Sequence, residues 1–201
     1  VTGGTRIEIK GVPRIPNIPL LTYNEAMRQF NLLRLRDELH RRGITKESFD
    51  AKTDEVTRLL RKTLFQPLKN AISEGLTVNC VRLRGFKGLL RWQTQTDTYF
   101  SREISDRVRV VACLTTLPNI VHSDSPSETL ASSEWQLLKK TVGATDEDTI
   151  VLVWGDIQDA KTGASEIIIR AKEATIGIPS ETRQALRDGT NGFERILPGP
   201  D

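Results

Sequence analysis

Apolar and polar residues alternate at the start of the chain. Ile7 and Ile9 stand against Arg6, Glu8 and Lys10, which predicts a half-buried strand over residues 5–10. Prolines at 13, 16 and 19 follow, exclude helix there and predict an extended bridge. Thr22 and Glu25 have capping-box spacing, so a long helix is expected to start at Thr22. Met27, Phe30 and Leu33, with Leu32, Leu35 and Leu39 beside them, give it a broad apolar stripe. His40, Arg41 and Arg42 sit in its last turn, where cations offset the helix dipole, and Gly43 suits the position just beyond. A second helix is predicted from about Glu47 to Thr63, with Phe49, Val56, Leu59 and Leu60 on its apolar face. A short third one carries Leu68 and Ile72 to Gly75.

From Leu76 onward strands and helices alternate. Strands are predicted over residues 76–83, 117–122, 149–154 (TIVLVW, the most apolar run and the expected central strand) and 193–197. Helices are predicted from Ser101 with Ile104, Val108 and Val111, and from a Ser127 cap with Leu130, Trp135, Leu138 and Val142 to Gly143. Further helices are expected over 165–175, with Ile168, Ala171 and Thr175 inward, and over 181–187. Alternation by itself favours a parallel α/β sheet, although the connections are short and the strands few.

Composition narrows the class. The 201 residues can hold one sizeable domain, or a domain with an appendage. A hydrophobic fraction of 37% with 27% charged residues is that of an ordinary globular protein. Aromatics at 5% leave the core to Leu, Ile and Val. No stretch approaches the roughly 18 apolar residues of a membrane helix. Cys80 and Cys113 form no metal-type pair, and two thiols without a signal peptide point to a reducing cytoplasm. With no opening Met, a first strand at once and a Pro-Gly-Pro end, the chain reads as a piece of something larger.

Net charge is only +3, from 29 basic and 26 acidic residues, so distribution matters more. Residues 28–42 carry five arginines against two acids, Asp37 and Glu38, a local excess suited to phosphate. Gly85-Phe-Lys-Gly88 has the GxxG spacing with which one RNA-binding fold clamps nucleotide backbone, although here it follows a strand. The plainer reading is a turn needing glycine freedom. Arg82 and Arg84 share one face of that strand, with Lys87 and Arg91 beyond, which gives a phosphate-tracking edge or a solvated sheet face. His122-Ser-Asp124 lies among hydroxyls, but a catalytic triad is assembled in space and not in sequence, and a helix-capping loop explains the serines. Two histidines and two scattered cysteines make no metal-ligand pattern, and no phosphate-binding glycine motif is present.

Longer patterns carry a family resemblance. Glu8-Ile-Lys-Gly11, Arg28-Gln29, Arg36-Asp-Glu-Leu39 and Arg42-Gly43 resemble the EIKG-type strand and ERQ-to-RDELxxRG helix of one family, the E subunit of archaeal-type glutamyl-tRNA(Gln) amidotransferase. Val81 to Leu90 (VRLRGFKGLL) is similar to that family's strand and GFxGLL turn. Phe100 to Arg107 resembles its FxxEL helix start, and Asp188 to Asp201 its DGTxxxxRxLPG segment. The weakest stretch is Arg91 to Thr98, where the family has a glycine-containing turn.

The resemblance implies an α+β, two-layer domain: a small, mostly antiparallel sheet with helices packed on one side. It divides the chain into 1–43, the tail of a catalytic cradle; 44–75, a helical connection; and 76–201, a GAD domain of the kind also inserted in bacterial aspartyl-tRNA synthetase. The parent it implies is a carbon–nitrogen ligase of protein biosynthesis that uses ATP and Mg²⁺ to activate the γ-carboxyl of Glu-tRNA(Gln). Ammonia would come from an amide donor through an asparaginase-like partner, giving Gln-tRNA(Gln).

The piece itself is expected to be inactive and to bind no cofactor, as a tRNA-recognition and structural domain in the cytoplasm. Glu8 and Lys10 would border the cradle, and the first dozen residues would depend on outside neighbours for pairing. Arg82, Arg84, Lys87 and Arg91 would contact tRNA(Gln) phosphates, with Arg34, Arg41 and Arg42 as a second basic face. Two other readings stay open: a scaffold holding the amidase partner, and a synthetase insert, which should lack the EIKG strand and the RDEL helix.

Overall fold

The computed structural model describes residues 8–127 and 129–197. In chain order the elements begin with strand β1 (Ile9–Lys10), helix α1 (Ile18–Arg41), strand β2 (Ala51–Glu55), helix α2 (Gln66–Ser73) and strand β3 (Thr77–Leu83). Strands β4 (Gln93–Gln95) and β5 (Thr98–Tyr99) precede helix α3 (Phe100–Val111), strand β6 (Ile120–His122) and helix α4 (Ser132–Val142). Strand β7 (Thr149–Gly155), helix α5 (Ile157–Ala174) and strands β8 (Glu181–Ala185) and β9 (Asn191–Ile196) complete the order.

A four-stranded antiparallel sheet in the order β2-β3-β7-β6 forms the centre. The TIVLVW run lies inside it as expected, paired residue for residue with β3 from Leu83↔Thr149 to Thr77↔Gly155. Its side chains alternate between two cores, as the period of a strand requires. Val151 and Val153 face Leu35 and Leu39 of α1 and Ile104 of α3. Ile150, Leu152 and Trp154 face Leu68 of α2 and Leu138 of α4. The class is α+β; because both faces of the sheet are covered, three layers replace the expected two. Helix α5 lies close against the sheet at Gly163, where an added Cβ would stand 2.7 Å from Val153 Cγ2.

A second sheet, β1-β8-β9, joins the two ends of the chain. β1 runs parallel to β8 with Ile9 opposite Arg183, and β8 is antiparallel to β9. Ile9 and Lys10 thus pair within this chain, so for these two of the first dozen residues the partner strand is not an outside one. Residues 5–7 of the predicted first strand lie outside the described residues.

Four local expectations are corrected. α1 starts at Ile18, not Thr22: Pro19 is tolerated in a first turn, where its missing N–H has no partner to lose. The region 47–63 is not a helix. It contains β2, whose five polar or small residues pair with Asn79 to Leu83, and a 3₁₀ turn at Thr57–Leu60. Residues 181–185 form a strand rather than a helix, fixed by pairing on both edges. The Ser127 cap is also displaced, since α4 begins at Ser132 after Ala131.

Candidate functional site

The turn after β3 organises the basic surface. Gly85 and Gly88 both adopt left-handed backbone, φ +74 and +78, and a Cβ on Gly85 would meet Ile44 Cδ1 at 2.5 Å. Both glycines are therefore required by the turn itself. Between them Phe86 is fully buried and meets Phe49 edge to face, with centroids 5.9 Å apart. With Phe86 inward, Arg84 and Lys87 on either side point to solvent.

Two carboxylates fix the turn's backbone. Asp148 Oδ1 accepts from Gly85 N–H at 2.9 Å. Asp124 accepts from the N–H groups of Gly88 and Leu90 at 2.9 and 3.0 Å and from Thr149 Oγ1 at 2.9 Å. The loop holding His122 and Asp124 is thus a turn-capping device. Burial lowers the pKa of His122, Asp124 opposes that shift, and the same Asp124 carboxylate is bonded to the turn.

The two predicted basic groups are brought together. Arg42, at the end of α1, donates from Nη1 to the carbonyls of Gly85 and Lys87 at 2.8 and 2.9 Å while its Nε donates to Glu38 Oε1 at 2.9 Å. Arg42 is thereby a clasp. Arg41 makes a two-pronged bond to Glu38 at 2.7 and 2.6 Å. Hydrogen bonds from Arg41 first and Arg42 second hold the Glu38 carboxyl down at about 2. Arg82 is half-buried on Asp50, Nη2 to Oδ2 2.9 Å, and the more exposed Arg84 reaches the same oxygen at 3.7 Å. Lys87 and Arg91 are exposed, and among the described residues neither has a carboxylate partner. Arg34 lies over two aromatic rings, its guanidinium carbon 5.9 Å from the centroids of Phe30 and Trp92.

Glu8 and Lys10 are placed on the other sheet. Lys10 Nζ lies 4.0 Å from both Glu8 and Glu194, exposed pairs of little strength. The Lys10 ammonium thus has a carboxylate on either side within this segment. Among the described residues, no group of three or more His, Cys, Asp or Glu is placed to hold a metal ion. A 440 Å³ cleft between α2 and residues 113–119, with Trp154 and Cys113 in its wall, contains a single carboxylate, Glu74.

Sequence reading missed the largest polar feature, a buried ion network. Arg28 (α1), Arg107 (α3), Arg170 (α5) and Arg183 (β8) converge on Glu103 and Glu181. Arg28 donates to Glu103 at 2.7 Å and Glu181 at 2.6 Å, and Arg107 to Glu173 at 2.7 Å. Arg107 and Arg170 also cover the rings of Phe193 and Phe100, at 4.7 and 5.0 Å. The network binds α1 and the terminal sheet to the domain core. A signal was available: Arg28 stands seven residues from both Leu21 and Leu35, on the face that α1 buries.

No family model matches the chain. Individual proteins do, and three of them carry one name, the E subunit of glutamyl-tRNA(Gln) amidotransferase. Over 200 residues the chain is 38% identical to the protein of that name from Pyrococcus furiosus, and 39% identical to that from Pyrococcus horikoshii. Over 205 residues it is 39% identical to its counterpart from Saccharolobus solfataricus. Each match takes in 99% of this chain but 31 to 32% of the relative, so the chain spans about a third of the length of the curated proteins it matches. In sequence, the chain belongs to the family of glutamyl-tRNA(Gln) amidotransferase E subunits, of which it represents a segment.

Proposed function

We propose that this segment is the tRNA-contacting and bracing portion of an amidotransferase of that family. The observation that carries the reading is the rigid Gly85–Gly88 turn, which is clasped by Arg42 and leaves Lys87, Arg91 and Arg84 projecting into solvent. Cations on a stiff backbone neutralise phosphates with little ordering cost, and the counterions released supply the affinity. Arg82, held by Asp50, would steady that edge more than reach from it. Residues 1–43, 44–75 and 76–201 would serve as cradle tail, connection and GAD domain.

In the complete enzyme, ATP and Mg²⁺ would activate the glutamyl γ-carboxyl of Glu-tRNA(Gln), with ammonia delivered from an asparaginase-like partner in the cytoplasm. In this reading the part of the segment is to hold and orient the tRNA body. The matches include the EIKG strand and the RDEL helix, which favours the amidotransferase over a synthetase insert. The exposed apolar side chains of the first helix and its approach, Ile15, Tyr23 and Phe30 among them, favour a second reading as a scaffold for the amidase partner.

Titrating the chain with tRNA(Gln) and an unrelated tRNA, at low and near-physiological salt, tests the proposal. Preference for tRNA(Gln), with log K falling by about 0.9 per phosphate neutralised for each log unit of salt, is expected. Failure to bind either tRNA at low salt would sink it in favour of the scaffold.

A further inference from the structure

The junction of α1 with the segment before β4 is built differently from the turn. Phe30 is 62% exposed on the outer face of α1. Trp92 is fixed by its indole N–H, which donates to the Asn31 carbonyl at 2.9 Å. Asn31 in turn donates to the Thr94 carbonyl at 3.2 Å, so helix and strand hold the ring between them. The Arg34 guanidinium, 5.9 Å from both ring centroids, completes a group of three flat π-faces.

Beside this group lies a 260 Å³ depression lined by Arg34, Asp37, Glu38, Arg41 and Trp92. Its two cations face two carboxylates, and Glu38 stays ionised under its bonds from Arg41 and Arg42. A phosphate entering here would meet as much repulsion as attraction. A neutral, planar heterocycle would meet a stacking surface and an acceptor: Asp37 Oδ1 takes both bonds from Arg36, and Oδ2 accepts none among the described residues.

We propose that this depression seats one unpaired nucleobase of the bound tRNA. The base stacks on Trp92 and the Arg34 guanidinium, flanked by Phe30, and turns an amino or ring N–H group toward Asp37. Arg34 then acts through its π-face, not as a phosphate contact. A base inside a duplex has both faces covered, so the occupant comes from a loop, a bulge or an end. The inference rests on the reading that this segment meets tRNA.

The test uses the whole chain as wild type, Phe30→Ala, Trp92→Leu and Lys87→Ala, with circular dichroism to verify folding. Each is titrated with tRNA(Gln), a single-stranded hexanucleotide and a blunt RNA duplex across a salt series, with tryptophan fluorescence as a second readout. Phe30→Ala, on an exposed ring, keeps the test valid if Trp92→Leu misfolds. Loss of one stack should weaken tRNA and hexanucleotide binding about 5- to 100-fold without changing the salt slope. Lys87→Ala should lower the slope by about 1. The hexanucleotide should quench tryptophan emission in wild type and not in Trp92→Leu.

If Phe30→Ala and Trp92→Leu bind tRNA as wild type while Lys87→Ala is weakened, the base seat is overturned and the tRNA reading stands. Equal quenching by the duplex also overturns the seat. No binding of any RNA at low salt overturns both, and the apolar face of α1 is then assigned to a protein partner.

Discussion

Arg28 and Glu103, 75 residues apart in the chain, meet in the interior with Nε 2.7 Å from Oε1. Glu103 also accepts from Arg170 and Arg183, at 3.3 Å each. Removing that carboxylate would leave three buried guanidinium groups short of a counter-charge, a situation that costs about 3–5 kcal/mol. Glu103→Gln is expected to lower the unfolding free energy by that amount, read as a lower urea midpoint with an unchanged denaturant slope. A loss below about 1 kcal/mol would mean that water reaches the network.

The acid response follows from the same group. Burial works to raise the Glu103 pKa, but Arg183, Arg28 and Arg170 outweigh it and hold it well below the usual range. Glu38 is held near 2 from an ordinary 4.5. Carboxylates lowered in this way stabilise fully above their unfolded pKa and lose that contribution as pH falls through the folded one. Glu166 and Asp106 are raised by burial and act in the opposite sense, weakening the fold as pH climbs through their values. The melting temperature should therefore fall steeply as pH drops from about 4.5 to 2. Glu103→Gln should flatten that limb in a thermal scan series.

Asp124 and Lys87 separate support from contact. Asp124→Ala strands the N–H groups of Gly88 and Leu90 and the Thr149 hydroxyl, a loss of about 1–3 kcal/mol, and loosens the turn that presents Lys87. Melting temperature and tRNA affinity are expected to drop together in that variant. Lys87→Ala should lower affinity alone. Calorimetric melting alongside filter binding distinguishes the two patterns.

The two thiols should differ in reactivity. Burial pushes the Cys80 thiol up to about 12, with Asp54 adding to the effect, whereas Cys113 is exposed. A chromogenic disulfide reagent at neutral pH is expected to titrate one thiol per native chain and two after denaturation. Two rapid equivalents in the native protein would contradict the packing around β3.

The apolar elements were legible in the sequence. β3, β7, β9 and the C-terminal end of α1 lie close to where hydrophobic periodicity and Gly43 put them. β2 was not legible, because Ala-Lys-Thr-Asp-Glu has no alternation of its own and is made a strand by β3 beside it. β8 failed for a related reason: Arg183 is buried and ion-paired, yet in a binary pattern it reads as surface. The basic site was half legible. The cations were found, but nothing in their spacing distinguishes Arg42, spent on two carbonyls, from Lys87, which points outward. The ion network escaped because its members come from α1, α3, α5 and β8 and meet only in space.

The parallel pairing of Ile9 with Arg183 has a consequence for the order in which the protein is made. Closing a loop over most of the chain is entropically the most expensive pairing in the fold, so the terminal sheet forms late. Within this segment α1, with Arg28 on the face it buries, is made before Glu103 and Glu181. Until β8 is in place Arg28 lacks its bond to Glu181. Arg28 therefore waits for its counter-charges until chain made well after it has folded back, which ties completion of the first helix's polar contacts to the late terminal sheet.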